Sequence, residues 1–446
     1  MTGRVAGPRG LPLLGNLLPF LRDPLGFLTR CARYGDFVPF RLGPKQCVLV
    51  GDPELIRQVA VAERRSLVRG WSALLLRTVL GNGLLVSEGS FWERQRHAVQ
   101  RALNPADVLS QKVIDAAVER MAGSWRPGEV RDMHEEMRRL TLDIAARAII
   151  GIEPASGSDR LDSALEVMVA GEGFSTMSLH PALSWLPTPV NRRAQKGRRL
   201  LDDLVYAVID GRSQANGSPN GSVLRSLAPP GGDGMDRREL RDELVTLLFT
   251  AYDTTAAALC WTLYLVGLHP EVEDRILAAP DAAYLEQVVL ESLRLFPPVP
   301  IQGRQVVSDC IIGEHAVAKG MMLVWSQWVM HRDPRYFDRA DEFDPGRWAD
   351  GLVDRLPPFV YFPFGRGRRN CVGEDFGMTM VIAALAAILA GHRLHLLAGY
   401  RARPDAIVTL RPRGGLPMRI EVRNPPQRNL PEADPVRALT GSARPY

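Results

Sequence analysis

Apolar residues recur at three- and four-residue spacing through most of this chain, while strand-like runs are few and short, so the pattern predicts a mainly α-helical protein with small β-sheets. Helices are expected over 106–121, 131–150, 161–170 and 281–296. Two more have readable starts: Asp52-Pro53-Glu54, with aspartate as cap and proline in the first turn, and Trp92-Glu93-Arg94-Gln95-Arg96. The longest periodic run starts at Asp236, with Glu239 three residues on as its capping partner, and stops before His269-Pro270. About thirty residues rising about 1.5 Å each give a rod of about 45 Å, enough to cross a whole domain.

Residues 37–41 and 46–50 read as a β-hairpin around Gly43-Pro44-Lys45, and 311–312, 321–325, 393–397 and 407–410 as short strands. Proline and glycine make 7–16 an extended lead-in lying over the fold. Between 64 and 90 the chain carries Trp71, Leu74, Leu75, Leu84 and Leu85 without one clear period. Residues 216–233 read as an exposed flexible connection and the chain after Asn424 as a loosely held tail, so 1–446 is expected to be one domain.

Composition is that of an ordinary globular protein, 46% hydrophobic and 24% charged. The net charge of +5 is spread along the chain, which speaks against nucleic-acid binding and leaves room for an acidic protein partner. The amino terminus lacks a charged-then-apolar leader, and 11–21 is too short and too broken by Pro12, Gly15 and Pro19 to span a bilayer, so no membrane anchor is expected. Cys31, Cys47, Cys260, Cys310 and Cys371 form no close pair, which argues against a disulfide framework or a zinc knuckle and for a reducing cytoplasm.

Cys371 stands apart from the other four. It lies in Phe364-Gly365-Arg366-Gly367-Arg368-Arg369-Asn370-Cys371-Val372-Gly373, just ahead of an apolar helix expected over 378–389. Glycines allow a tight turn close to a flat ligand, and helix amides with nearby cations favour a thiolate. One soft thiolate suits a metal whose other positions are filled by a macrocycle, such as haem iron. Taken alone, the loop leaves open an incidental cysteine in a basic turn.

The wider frame, Phe364, Gly367, Arg369, Cys371 and Gly373, resembles the haem-binding loop of the cytochrome P-450 family. The resemblance implies that fold, haem b with Cys371 as the iron ligand, Phe364 beside the sulfur and Arg369 on a propionate. Trp92 and Arg96 resemble the family's Trp-x-x-x-Arg, and Arg304 a further arginine, all three on propionates. The family's Glu-x-x-Arg appears as Glu291 and Arg294, and its Phe-Asp-Pro-x-Arg-Trp as Phe343, Asp344, Pro345, Arg347 and Trp348; these imply a network that supports the cysteine loop. Residues 64–90 and 171–189, the latter with Phe174, Met177, Leu183 and Trp185, resemble the segments around the family's substrate chamber, which Val299 and Ile301 would also line.

On the long helix, Thr250-Ala251-Tyr252-Asp253-Thr254-Thr255 resembles the family's Ala-Gly-x-Asp-Thr-Thr, which implies that Asp253 and Thr254 deliver protons during oxygen activation. The match departs at Thr250, where the family has alanine or glycine, and at Ala251, where it has glycine. The threonines also invite the local alternative of bonding back to the preceding turn.

The resemblance implies a monomeric, cytoplasmic monooxygenase acting on an apolar small molecule such as a terpenoid or polyketide, with O2 as oxidant. Since no flavin, nicotinamide or iron-sulfur motif is visible, electrons are expected from a separate ferredoxin or flavodoxin, with Arg366 and Arg368 as candidates for the docking face. The alternatives are a haem enzyme that uses peroxide or rearranges its substrate, and a non-enzymatic haem-based sensor.

Overall fold

Along strand Lys45–Val50 the side chains alternate in destination: Val48 and Val50 join one apolar cluster with Leu323 and Trp325, while Cys47 and Leu49 join another with Val324 and Phe40. A period of two with both faces apolar makes a strand covered on both sides. In this computed structural model the described residues are 7–62, 66–70, 76–77, 79–151, 188–211, 222–229, 234–278, 281–406 and 409–423. The chain divides into two compact units, one made of Met1–Trp71 with Leu290–Cys371 and the other of Ser72–Val289 with Val372–Tyr446.

The first unit is built on a five-stranded sheet in the order Phe37–Leu42, Lys45–Val50, Met322–Trp325, Gln302–Val306, Leu67–Arg69. The expected hairpin forms with Phe37 opposite Val50 and Leu42 opposite Lys45. Helix Pro53–Ala62 starts where expected, its first turn capped by Asp52, which accepts from the Leu55 amide at 2.9 Å. The lead-in is tied down by Asn16, whose Nδ2 donates to the Arg9 carbonyl and whose Oδ1 accepts from the Arg41 amide.

The second unit is organised on the helix Arg237–Leu268. Asp236 caps it by accepting from the amides of Arg238 and Glu239, both at 2.8 Å, as the sequence predicts. It packs against Met133–Ala145 and Glu374–Gly391. Thr141 Oγ1 donates to the Tyr252 carbonyl at 3.0 Å, and Trp261 Nε1 to the Leu410 carbonyl at 2.8 Å. Arg237–Leu268 and Glu374–Gly391 are long and apolar enough to cross a membrane, and both are mostly buried inside the fold.

Several expectations need correction. The helix expected over 106–121 is two, Pro105–Val108 and Gln111–Ala122, because Leu109 and Ser110 are extended and the Ser110 hydroxyl starts a new helix by accepting from the Val113 amide. Arg131 lies in strand Val130–Asp132, not in a helix, since Asp132 caps Met133–Ala145 through the His134 amide at 2.9 Å. The helix then widens to a π-helical turn at Ala146–Ile150. Within 216–233, Val223–Leu227 is a short helix with Val223, Leu224 and Leu227 buried rather than exposed connection, their spacing having been masked by the surrounding glycines and serines. The strands near 407–410 are Pro404–Ala406 paired with Leu410–Pro412, and a further strand, Pro417–Val422, joins Val130–Asp132 to His392–Leu396. The readings at 64–65, 71–75, 78, 161–170, 171–187, 216–221, 230–233, 407–408 and 424–446 lie outside the described residues.

Candidate functional site

Phe364 to Cys371 forms a closed loop in the first unit. The Cys371 amide donates to the Phe364 carbonyl at 2.8 Å, and the Asn370 amide to the Gly367 carbonyl at 3.1 Å. Gly365 and Gly367 hold φ of 72° and 87°, a region that disfavours other residues, and a Cβ at Gly367 would press within 3.0 Å of Ala60. Of the five cysteines, Cys371 alone is exposed. Burial pushes the thiols of Cys31 and Cys47 up to about 11, and raises those of Cys260 and Cys310. Among the five cysteines Cys371 is thus the most accessible thiol, presented by a constrained turn.

Phe364 and Arg369 are half-buried in the same loop. Arg304 lies on strand Gln302–Val306, nearly buried, its guanidinium 5.2 Å from the Trp325 ring centre and its Nη1 donating to the Gly303 carbonyl. Directly opposite it in the antiparallel register is Arg69. Like charges facing each other across two strands repel, and an anion shared between them relieves the strain. An exposed thiol in a loop that carries Arg369, in the same unit as Arg304 and Arg69, is a donor set that fits haem iron and its propionates.

The support of this loop can be traced atom by atom. Glu291 and Arg294 are fully buried and joined at 2.8 Å. Glu291 also accepts from Trp348 Nε1 at 2.9 Å, Arg347 Nε at 3.3 Å and the Asp344 amide at 3.0 Å. Arg294 Nη1 donates to the carbonyls of His331 and Ala340. The His331 ring takes the Phe362 amide on Nε2 at 3.0 Å, and the Phe362 carbonyl accepts from the Gly365 amide at 2.9 Å. Burial, with the charges of Arg294 and Arg332, pushes His331 down to about 3, so its imidazole is neutral and can accept that bond.

The remaining predicted residues lie in the second unit. Trp92 is buried on helix Gly89–Ala102, and the guanidinium of Arg96 sits 5.8 Å from its ring centre, so the two share a face as their spacing predicts. Gly373 caps helix Glu374–Gly391, its carbonyl accepting from the Gly377 amide at 2.8 Å. Along Leu240–Val266 every residue is buried except Thr250, Ala251 and Thr254. These three share one face, so an otherwise enclosed helix is open at the expected motif. Thr254 Oγ1 donates back to the Thr250 carbonyl at 2.7 Å and Thr250 Oγ1 to the Thr246 carbonyl at 2.8 Å, the local bonding that threonine favours in helices. Asp253 is turned one step round the helix into buried surroundings, where Oδ2 accepts from Thr409 Oγ1.

Sequence reasoning missed His331, Arg69, Thr409 and Glu243. Glu243 is wholly buried and accepts from the Leu84 amide at 2.9 Å; beside it Asp242 accepts from the Asn82 amide at 2.7 Å. Gly81 and Gly83 let this loop approach, since a Cβ at either would fall 2.1 Å from a side-chain oxygen of Asp242 or Thr246. A Gly-x-Gly ahead of Leu84 was the only local signal.

A family model described as Cytochrome P450 matches residues 5–405. The chain is 33% identical over 424 residues to cyclooctatin synthase of Streptomyces melanosporofaciens, across 90% of this chain and 92% of that protein. It is also 33% identical to the cyclooctat-9-en-7-ol 5-monooxygenase of the same organism, across 88% and 90%. Among solved structures, the retinoic acid-bound cyanobacterial CYP120A1 matches with a TM-score of 0.81 at 26% identity, across 94% of this chain and 98% of that one.

Proposed function

Because this chain belongs to the cytochrome P450 family, and with it is a haem-dependent monooxygenase, we propose that it oxidises an apolar specialised metabolite of the terpenoid or polyketide kind. The observation that carries the reading is Cys371, the one exposed thiol among the five cysteines, at the closing end of the turn whose frame resembles the family's ligand loop. The relatives named for cyclooctatin and cyclooctat-9-en-7-ol support the terpenoid class.

Cys371 would hold the iron as thiolate, with Phe364 beside the sulfur and Gly373 leaving room at the start of the next helix. Arg304, Arg369, Arg96 and Trp92 would hold the propionates, joined by Arg69 on account of its register with Arg304. Bound haem supplies the reductive activation of dioxygen. Asp253 passes protons from its carboxylate, and Thr254 holds one at its hydroxyl on the open face of the helix. Thr250 and Ala251, the other two residues of that face, narrow it relative to the family's smaller residues.

Electrons come from a separate ferredoxin or flavodoxin, with Arg366 and Arg368 on the docking face. The same reading makes the two units one catalytic domain, monomeric and cytoplasmic. The test is a panel of apolar terpenoids and polyketides, screened for displacement of the haem absorption band and then for turnover with O2 and reduced ferredoxin. Product formation supports the reading; turnover with peroxide alone and none with ferredoxin would replace it with a peroxide-using enzyme.

A further inference from the structure

Asp253 is a carboxylate buried in the middle of the long helix, and burying such a group is costly unless something bonds it. The bond comes from far along the chain. Thr409, itself buried, donates its hydroxyl proton to Asp253 Oδ2 across a separation of 156 residues. A threonine hydroxyl has one proton to give, and this one is committed to Asp253.

Two features make that hydroxyl a fixed point. Thr409 immediately precedes strand Leu410–Pro412, which pairs with Pro404–Ala406. The carbonyl of Leu410 accepts from Trp261 Nε1 at 2.8 Å, so adjacent residues of the hairpin are stapled to the helix at Asp253 and again a little over two turns on. The helix Met133–Ala145 contributes charge from its own side. Arg138, whose guanidinium lies 5.0 Å from the Tyr252 ring centre, and His134, which burial and Arg138 hold below the usual imidazole range, both feel the Asp253 charge. The carboxylate is therefore held in one place, a single helical step of about 100° from Thr254 on the open face.

We propose that Thr409 is the positioning residue for Asp253, its hydroxyl fixing the carboxylate beside the open face formed by Thr250, Ala251 and Thr254 and so setting how efficiently protons reach that face. This inference rests on the reading of Asp253 as a proton donor. Thr409 keeps its own proton throughout and acts through Asp253, so the expected effect is on the fate of electrons and not on substrate binding.

The experiment compares the haem-loaded full chain with Thr409→Val, which keeps the shape and removes the hydroxyl, Thr409→Ser, which keeps the hydroxyl, and Thr409→Ala as a second hydroxyl-free variant should valine not fold. Product per reducing equivalent should fall on the order of tenfold in the hydroxyl-free variants, as expected for loss of one charge-assisted hydrogen bond, with peroxide release and the solvent deuterium isotope effect both rising. KM should change little, and Thr409→Ser should restore the yield. In the Asp253→Asn background, Thr409→Val should add nothing. On the protein itself, infrared difference spectra of labelled aspartate should show the Asp253 carboxylate band shift in Thr409→Val and return in Thr409→Ser.

If Asp253→Asn lowers the yield and Thr409→Val does not, Thr409 is overturned and Asp253 stands. Losses that simply add in the double variant also overturn the inference, because they show an independent effect. Should Asp253→Asn leave the yield intact, the underlying reading falls, and Thr409 is then a structural bond even if the infrared band moves.

Discussion

Arg294 grips both oxygens of Glu291, Nε to Oε2 at 2.8 Å and Nη2 to Oε1 at 2.9 Å, in an ion pair with no solvent exposure on either side. A pair this deep is sustained by its additional bonds, here to Trp348, Arg347 and the carbonyls of His331 and Ala340. Through His331 and Phe362 it reaches the turn that carries Cys371. The cysteine loop therefore rests on a charge pair one helical turn long.

Removing one member leaves the other as an uncompensated buried charge. Glu291→Gln or Arg294→Met is expected to cost about 3–5 kcal/mol of stability, read by denaturant unfolding. Haem retention should fall with it. A loss below about 1 kcal/mol, the range of surface pairs, would show that the pair is not what supports the loop.

His331 gives the first unit an acid limit. Its folded value of about 3 lies below the ordinary imidazole value of 6.5, so its contribution is fully present above pH 6.5 and is lost as pH falls towards 3, where the unfolded chain binds the proton first. Stability measured by unfolding across that window should decline on acidification. His331→Gln should flatten the decline while lowering stability at neutral pH, and an unchanged slope would remove His331 as its cause.

Glu243 works in the opposite direction in the second unit. Burial pushes its carboxyl up to about 8, with Asp242 and Glu239 adding in the same sense, so its contribution is fully present below pH 4.5 and is lost as pH rises through 8. Glu243→Gln keeps the shape and removes the charge. The variant should melt several degrees above the parent at pH 9 and close to it at pH 4.5; equal melting differences at both values would contradict the assignment.

What could be read beforehand was what neighbours in sequence decide. The cap at Asp236, the stop at His269-Pro270, the hairpin around Gly43 and Pro44, and the loop ending in Cys371 all follow from a few adjacent residues. Arg131 was misread because its place in a strand depends on pairing with Met418, nearly three hundred positions away. His331 and Thr409 carry no local mark, since what makes each one matter is a partner brought close only by folding: the Phe362 amide for one, Asp253 for the other. Arg69 belongs to the same class, because its facing arginine appears only once the register of two strands is fixed.

The claim on which the account depends is that the Cys371 sulfur binds haem iron as thiolate. It is tested most directly by the absorption spectrum of the reduced, carbon monoxide-bound protein beside that of Cys371→Ser. The account predicts the far red-shifted Soret band of thiolate ligation in the parent and its loss in the variant. A parent without that band, or a variant that keeps it, would contradict it.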